Sequence, residues 1–156
     1  MKTTAADIMT TQFTTLLPET PVSEAVHIFR EAFEQKGRRL FGIIVIDKDH
    51  RLAGMLSMYD ILLYLRPKHI HVWGAMEDLE IAEVMNAAGN RIKSIQVGDI
   101  MTPDVVTIGP NANLMMVLNV MISKHVRRLP VVEDQRIIGI VYISDLFNHF
   151  LERIGD

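Results

Sequence analysis

Apolar residues at Val22, Ala25, Val26, Phe29, Ala32 and Phe33 fall three and four positions apart, the spacing of one buried helical face. Thr20 is placed as the N-cap of this helix, Pro21 as its first residue and Gly37 as its stop. Phe41 to Ile46 is instead continuously apolar and partly β-branched, which predicts a strand buried on both faces. Asp47 to His50 makes a turn, Leu52 to Leu56 a second strand, and Met58 to Leu65 a helix stopped by Pro67. Ahead of these stand a short segment from Ala5 to Met9 and an extended stretch at Phe13-Thr14-Thr15, closed by Pro18.

The same pattern then returns. Val105 to Thr107 reads as extended, and Leu114 to Lys124 as a helix with Leu114, Val117, Leu118, Met121 and Ile122 on one face. Leu129 to Glu133 and Ile137 to Tyr142 read as strands, followed by a helix from Ile143 towards Arg153. Each half is therefore β-α-β-β-α, a mixed α/β (α+β) composition. Literal residues recur as well: Asp7-Ile8-Met9-Thr10 as Asp99-Ile100-Met101-Thr102, and Gly54 to Asp60 as Gly139 to Asp145. Two landmarks in the same order, twice, identify a duplicated unit of about 50 to 60 residues. The interval between landmarks is seven residues longer in the first copy, with the surplus around Gln35 to Gly42 and in the Asp47 to His50 turn. Insertions cost little in such loops.

The repeats span 5–66 and 97–153. Between them, 67–96 is a linker in which Glu77 to Ala88 reads as a helix, with Leu79, Ala82, Val84 and Met85 partly buried and Gly89-Asn90 as the stop.

Composition narrows the function classes. The 156 residues suit one compact domain of two half-units, 49% hydrophobic, with 16 basic and 19 acidic residues and a formal net charge of −3. That balance gives no polyanion-seeking surface, so nucleic acid is not the leading partner. The N-terminus lacks the apolar core of a secretory signal and no run reaches the ~20 residues of a membrane span, so a cytoplasmic protein is expected. With no cysteine, disulfides, thiolate catalysis and cysteine-ligated zinc are excluded. No Gly-x-Ser-x-Gly elbow or Gly-rich phosphate loop with lysine is present, so no catalytic residues and no enzyme activity are expected. His69 and His71 could share one side of an extended segment, but sequence places no third ligand near them, and no metal site is assigned.

Ser57-Met58-Tyr59-Asp60 sits where a strand hands over to a helix, and two readings apply. In one, Ser57 and Asp60 form a capping box. In the other, the free N–H groups and positive end of the helix attract a phosphate, Ser57 adds a hydroxyl donor, and Asp60 accepts from the vicinal hydroxyls of a ribose.

The duplicated unit, the Asp-Ile-Met-Thr start, the Arg127-Arg128-Leu129-Pro130-Val131-Val132 strand and the Gly-x-x-Ser-x-x-Asp segment at Gly54 to Asp60 together resemble a tandem pair of cystathionine β-synthase (CBS) domains, a Bateman module. The resemblance implies two repeats packed sheet to sheet about a pseudo-twofold axis, with two clefts for an adenine nucleotide or S-adenosylmethionine. It assigns Ser57, Met58, Tyr59 and Asp60 to one cleft, with Val106, Thr107, Arg127, Arg128, Leu129 and Pro130 opposite them. Arginine suits phosphate because its charge is permanent and its donors fork. The other cleft draws on Thr14, Thr15, Phe41, Gly42, Ile43, Tyr142, Ser144 and Asp145. There Tyr142 stands where Ser57 stands, and Phe41-Gly42 replaces Arg127-Arg128 unless Arg38 or Arg39 reaches back, so weaker phosphate binding is expected.

The resulting expectation is a stand-alone regulatory module with no required cofactor. It binds AMP, ADP or ATP and signals to a protein partner or through its own homodimer, whose faces would include Leu62, Leu65, Leu146, Phe147 and Phe150. The alternatives are a ligand-free dimerising scaffold and an S-adenosylmethionine sensor.

Overall fold

A carboxylate in the first turn organises each of the two shortest helices. In the computed structural model, which describes residues 3–35, 40–66 and 81–154, α1 (Ala5–Ile8) follows Thr4, whose backbone N–H donates to Asp7 Oδ2 at 2.8 Å. The next to be paired with it, α5 (Val97–Ile100), follows Gln96, whose N–H donates to Asp99 Oδ2 at 2.8 Å. The aspartates of the repeated Asp-Ile-Met-Thr thus satisfy an N–H at a helix start.

β1 (Thr15–Leu16) pairs in parallel with β2 (Gly42–Ile46), Thr15 opposite Ile44 and Leu16 opposite Val45, and β3 (Leu52–Ser57) completes the order β1-β2-β3. The first strand lies later than its predicted place at 13–15. Between β1 and β2 runs α2 (Val22–Glu34), burying Val22, Ala25 and Phe29, while Phe33, a turn beyond the last of these, is exposed. Thr20 is not its N-cap: extended Pro21 takes that position, and the Thr20 hydroxyl accepts the Leu17 N–H at 3.2 Å in the preceding turn. α3 (Met58–Leu65) has its predicted limits.

α4 (Ile81–Ile92) runs straight through Gly89 and Asn90, the expected stop, and ends where the Ser94 hydroxyl and N–H return to the Arg91 carbonyl at 2.9 and 3.1 Å. Only Ala88 of this helix is buried, and Ala82 and Met85 face outward. α6 (Leu114–Lys124) is capped by Asn113, whose Oδ1 accepts from the Met116 N–H at 2.9 Å, and closes on His125 in the left-handed region at φ 53°. Leu114, Val117 and Met121 are buried as expected, but Ile122 is exposed.

β4 (Arg128–Glu133) and β5 (Arg136–Tyr142) form an antiparallel hairpin, Arg128 opposite Tyr142 and Leu129 opposite Val141, followed by α7 (Ile143–Ile154). The extended stretch expected at 105–107 is not a strand; its pairing shrinks to Ile108 beside Val131. Gly37, Arg38, Arg39, Pro67, His69, His71, Glu77 and Leu79 lie outside the described residues.

Two compact units result, and they cut across the sequence repeats. Of the described residues, one unit holds those before Thr15, the turn Asp47–Leu52 and those from Asp104 onward; the other holds the rest. The core of the first places Ala5 of α1 among Leu114, Val117, Leu129, Val141 and Leu146. The core of the second places Val97 of α5 among Val22, Phe29, Val45, Leu56 and Ile61. Both Ala5 and Val97 are completely buried. Each sheet is thus closed by the opening helix of the other repeat. Among the described residues no helix is long and apolar enough to cross a membrane.

Candidate site at the start of the third helix

Gly54 admits a second piece of backbone against β3. A Cβ built there would lie 2.6 Å from the Thr102 carbonyl oxygen and 3.3 Å from Pro103 Cα, so only glycine allows the approach. Through that approach Met55 and Thr102 exchange backbone hydrogen bonds of 2.9 Å in each direction. Three residues after Gly54, Ser57 is still extended, at φ −102° and ψ 163°, and α3 begins at Met58, whose N–H donates to the Phe41 carbonyl at 3.0 Å.

The capping box expected at this junction is present. The Ser57 hydroxyl accepts the Asp60 N–H at 3.1 Å, while Asp60 Oδ2 takes both the Ser57 N–H and the Ser57 hydroxyl at 2.9 Å. Beyond the expected pair, Thr102 joins the cluster. Its hydroxyl donates to Asp60 Oδ1 at 3.2 Å, with a longer branch of 3.5 Å to Oδ2. Thr102 was visible in the sequence only as the last residue of a repeated motif. Its role follows from backbone pairing that local pattern does not reveal.

The second repeat reproduces the frame with other side chains. A Cβ at Gly139 would run into the side chain of Met9, Thr10 and Ile140 exchange backbone hydrogen bonds of 2.8 and 2.9 Å, and the Ile143 N–H donates to the Arg127 carbonyl at 2.8 Å. These bonds match Gly54 with Gly139, Met55 with Ile140, Thr102 with Thr10, and Phe41 with Arg127. Tyr142 therefore occupies the backbone position of Ser57, and Asp145 that of Asp60.

The remaining expected residues divide between the units. Ser57, Met58, Tyr59, Asp60, Thr15, Phe41, Gly42 and Ile43 belong to one; Thr14, Val106, Thr107, Arg127 to Pro130, Tyr142, Ser144 and Asp145 belong to the other. Ile43 and Leu129 turn their side chains into the two cores, leaving only backbone for any ligand. Tyr59, Thr107 and Ser144 are exposed. Arg127 precedes β4 and is exposed, whereas Arg128, its first residue, is half-buried opposite Tyr142. Burial lowers the Arg128 guanidinium pKa from the ordinary arginine value; the Tyr142 phenol opposes that shift and the Arg127 charge adds to it. Among the described residues no group of three or more histidines and carboxylates is placed to hold a metal ion.

The CBS domain family matches the chain twice, over residues 5–67 and 97–152. The CBS domain-containing protein CBSX1, chloroplastic, of Arabidopsis thaliana is 30% identical over 151 residues, covering 89% of this chain; the chain spans 60% of that protein's length. The crystal structure of the CBS-pair protein CBSX2 from Arabidopsis thaliana aligns with a TM-score of 0.75 at 25% identity, over 100% of this chain and 99% of that one. A crystal structure of CBSX2 in complex with AMP aligns with a TM-score of 0.69 at 27% identity, over 96% and 97%. With both repeats matched, and the Gly-x-x-Ser-x-x-Asp segment set on its strand-to-helix junction, the chain belongs to the CBS domain family as a tandem pair.

Proposed function

We propose that the chain is a regulatory module that binds an adenine nucleotide, AMP, ADP or ATP, and has no catalytic role of its own. The observation that carries this reading is the likeness, over 96% of the chain, to CBSX2 in complex with AMP. Two features add support: a serine hydroxyl at the start of α3, where the positive end of the helix favours an anion, and an aspartate one turn further on. In this reading Asp60 takes the ribose hydroxyls and Ser57 the phosphate. Tyr142 in the serine position makes the equivalent site in the second repeat the weaker one. For occupancy to become a signal, the nucleotide must bind one arrangement of the protein better than another.

Isothermal titration of the full chain with AMP, ADP, ATP, S-adenosylmethionine and NAD tests the reading. Saturable binding of at least one adenine nucleotide is expected. Binding of S-adenosylmethionine alone moves the assignment to a sensor of that ligand, and silence across the panel moves it to a scaffold.

The proposed signalling route includes a homodimer. Leu62 and Leu63 on α3 and Phe147 and Leu151 on α7 are exposed, whereas Leu146 is spent in its unit's core and Leu65 and Phe150 pack partly against theirs. Light scattering across a concentration series, with and without nucleotide, reads the assembly directly.

A further inference from the structure

The hydrogen bonds around Asp60 leave it unable to take a ribose diol as it stands. A carboxylate offers about four lone-pair positions. The Ser57 N–H and the Ser57 hydroxyl occupy two of them on Oδ2, and the Thr102 hydroxyl occupies one on Oδ1. One position remains, and a vicinal diol that donates twice needs two.

The Ser57 hydroxyl carries a single proton, and in the structure that proton is spent on Asp60 Oδ2. It cannot also be donated to a phosphate. The bond that Ser57 accepts from the Asp60 N–H uses a lone pair instead, so the hydroxyl can turn its proton outward and keep capping α3. Turning outward frees the second acceptor position on Asp60.

Resting on the adenine-nucleotide reading, we propose that the Ser57 hydroxyl is a gate that couples the phosphate and ribose halves of the site. A phosphate at the start of α3 draws the Ser57 proton through a charge-assisted bond, and the same rotation unmasks Asp60 for the diol. A nucleotide satisfies both groups. A nucleoside must break the Ser57–Asp60 bond and replaces nothing at Ser57. The module is therefore selective for phosphorylated adenosine beyond the worth of the phosphate contact itself, a reciprocal coupling between two halves of one ligand.

The test is isothermal titration of wild type, Ser57→Ala and Ser57→Thr with AMP, adenosine and 2′-deoxyadenosine. Ser57→Ala removes the phosphate donor and frees Asp60, so AMP should weaken about tenfold or more while adenosine tightens about threefold. 2′-Deoxyadenosine, lacking the diol, should be unmoved, and Ser57→Thr should restore the wild-type ratio of AMP to adenosine affinity. Ser57→Gly, tolerated at N-caps, replaces the alanine variant if that one melts early. Equal weakening of AMP and adenosine by the alanine or glycine variant, or adenosine affinity that does not rise, overturns the gate and reduces Ser57 to a cap. Wild type that binds neither AMP nor adenosine overturns the nucleotide reading itself, a result distinct from either of those.

Discussion

Met55 and Thr102 hold each other by both backbone hydrogen bonds, N–H to carbonyl in each direction at 2.9 Å, although one belongs to the first repeat and the other opens the second. Thr10 and Ile140 repeat the relationship at 2.8 and 2.9 Å. The two recurring motifs are thus complementary parts: each Asp-Ile-Met-Thr lies on the Gly-x-x-x-x-x-Asp strand of the other repeat. That placement puts the Thr102 hydroxyl on Asp60.

The two crossings differ in what an added methyl group would meet. At Gly54 it would meet the Thr102 carbonyl oxygen at 2.6 Å, a backbone atom that cannot rotate away. At Gly139 it would meet the side chain of Met9, whose Cγ and Sδ can swing aside although its Cβ, 3.0 Å away, cannot. Gly54→Ala should therefore cost about 1–3 kcal/mol in urea unfolding, and Gly139→Ala about 1 kcal/mol or less. Equal losses at the two sites would contradict this difference.

Val97 tests the exchange of opening helices. It is fully buried in the core built on β1, β2 and β3, so Val97→Ala should cost about 2 kcal/mol. Hydrogen exchange should show the loss of protection in α2 and β2 rather than in β4 and β5. Loosening confined to the β4–β5 hairpin would count against the assignment.

Asp60 and Asp145 occupy equivalent positions with unequal surroundings. At AMP near 100 times its dissociation constant, wild type should gain about 2.7 kcal/mol of stability. Asp60→Asn should remove most of that gain and Asp145→Asn much less, as read by thermal shift against matched samples without nucleotide. The reverse order would place the stronger site in the second repeat.

A pH dependence follows from the turn after β2. Asp47 Oδ1 accepts the Asp49 N–H at 2.8 Å and the Arg51 N–H at 3.0 Å, and the Arg51 bond leads the causes that hold its carboxyl below the ordinary range. A depressed carboxyl stabilises the fold above its unfolded pKa, and that contribution is lost as pH falls through the folded value. The stability difference between wild type and Asp47→Asn should therefore hold near neutrality and shrink below about pH 4. A difference that grows on acidification would refute it.

Much of the local structure was legible because its causes are local. The limits of α3 and α6, both hairpins and the Ser57–Asp60 box follow from periodicity, turn residues and capping spacing within a few residues. The misplacements share a feature: each concerned a single residue or short stretch whose own preference was overruled by its neighbours or by pairing elsewhere in the fold. Thr20 caps the turn before α2 because Pro21 takes the N-cap, and the 105–107 stretch pairs only at Ile108. Gly89 and Asn90 stay helical in α4, whose pattern continues through buried Ala88.

From residues alone one can determine the duplication, the α-β-β-α succession that both repeats share and the serine and aspartate at the start of α3, since all three are written in spacing along the chain. Only the tertiary structure decides which sheet each opening helix completes, and with it the third member of the Asp60 cluster. The burial of Ala5 and Val97, and the core each enters, are not written in the spacing along the chain. The choice of core is made by which apolar face remains open and by the absence of a Cβ at Gly54 and Gly139, where another strand of backbone or a methionine must pass.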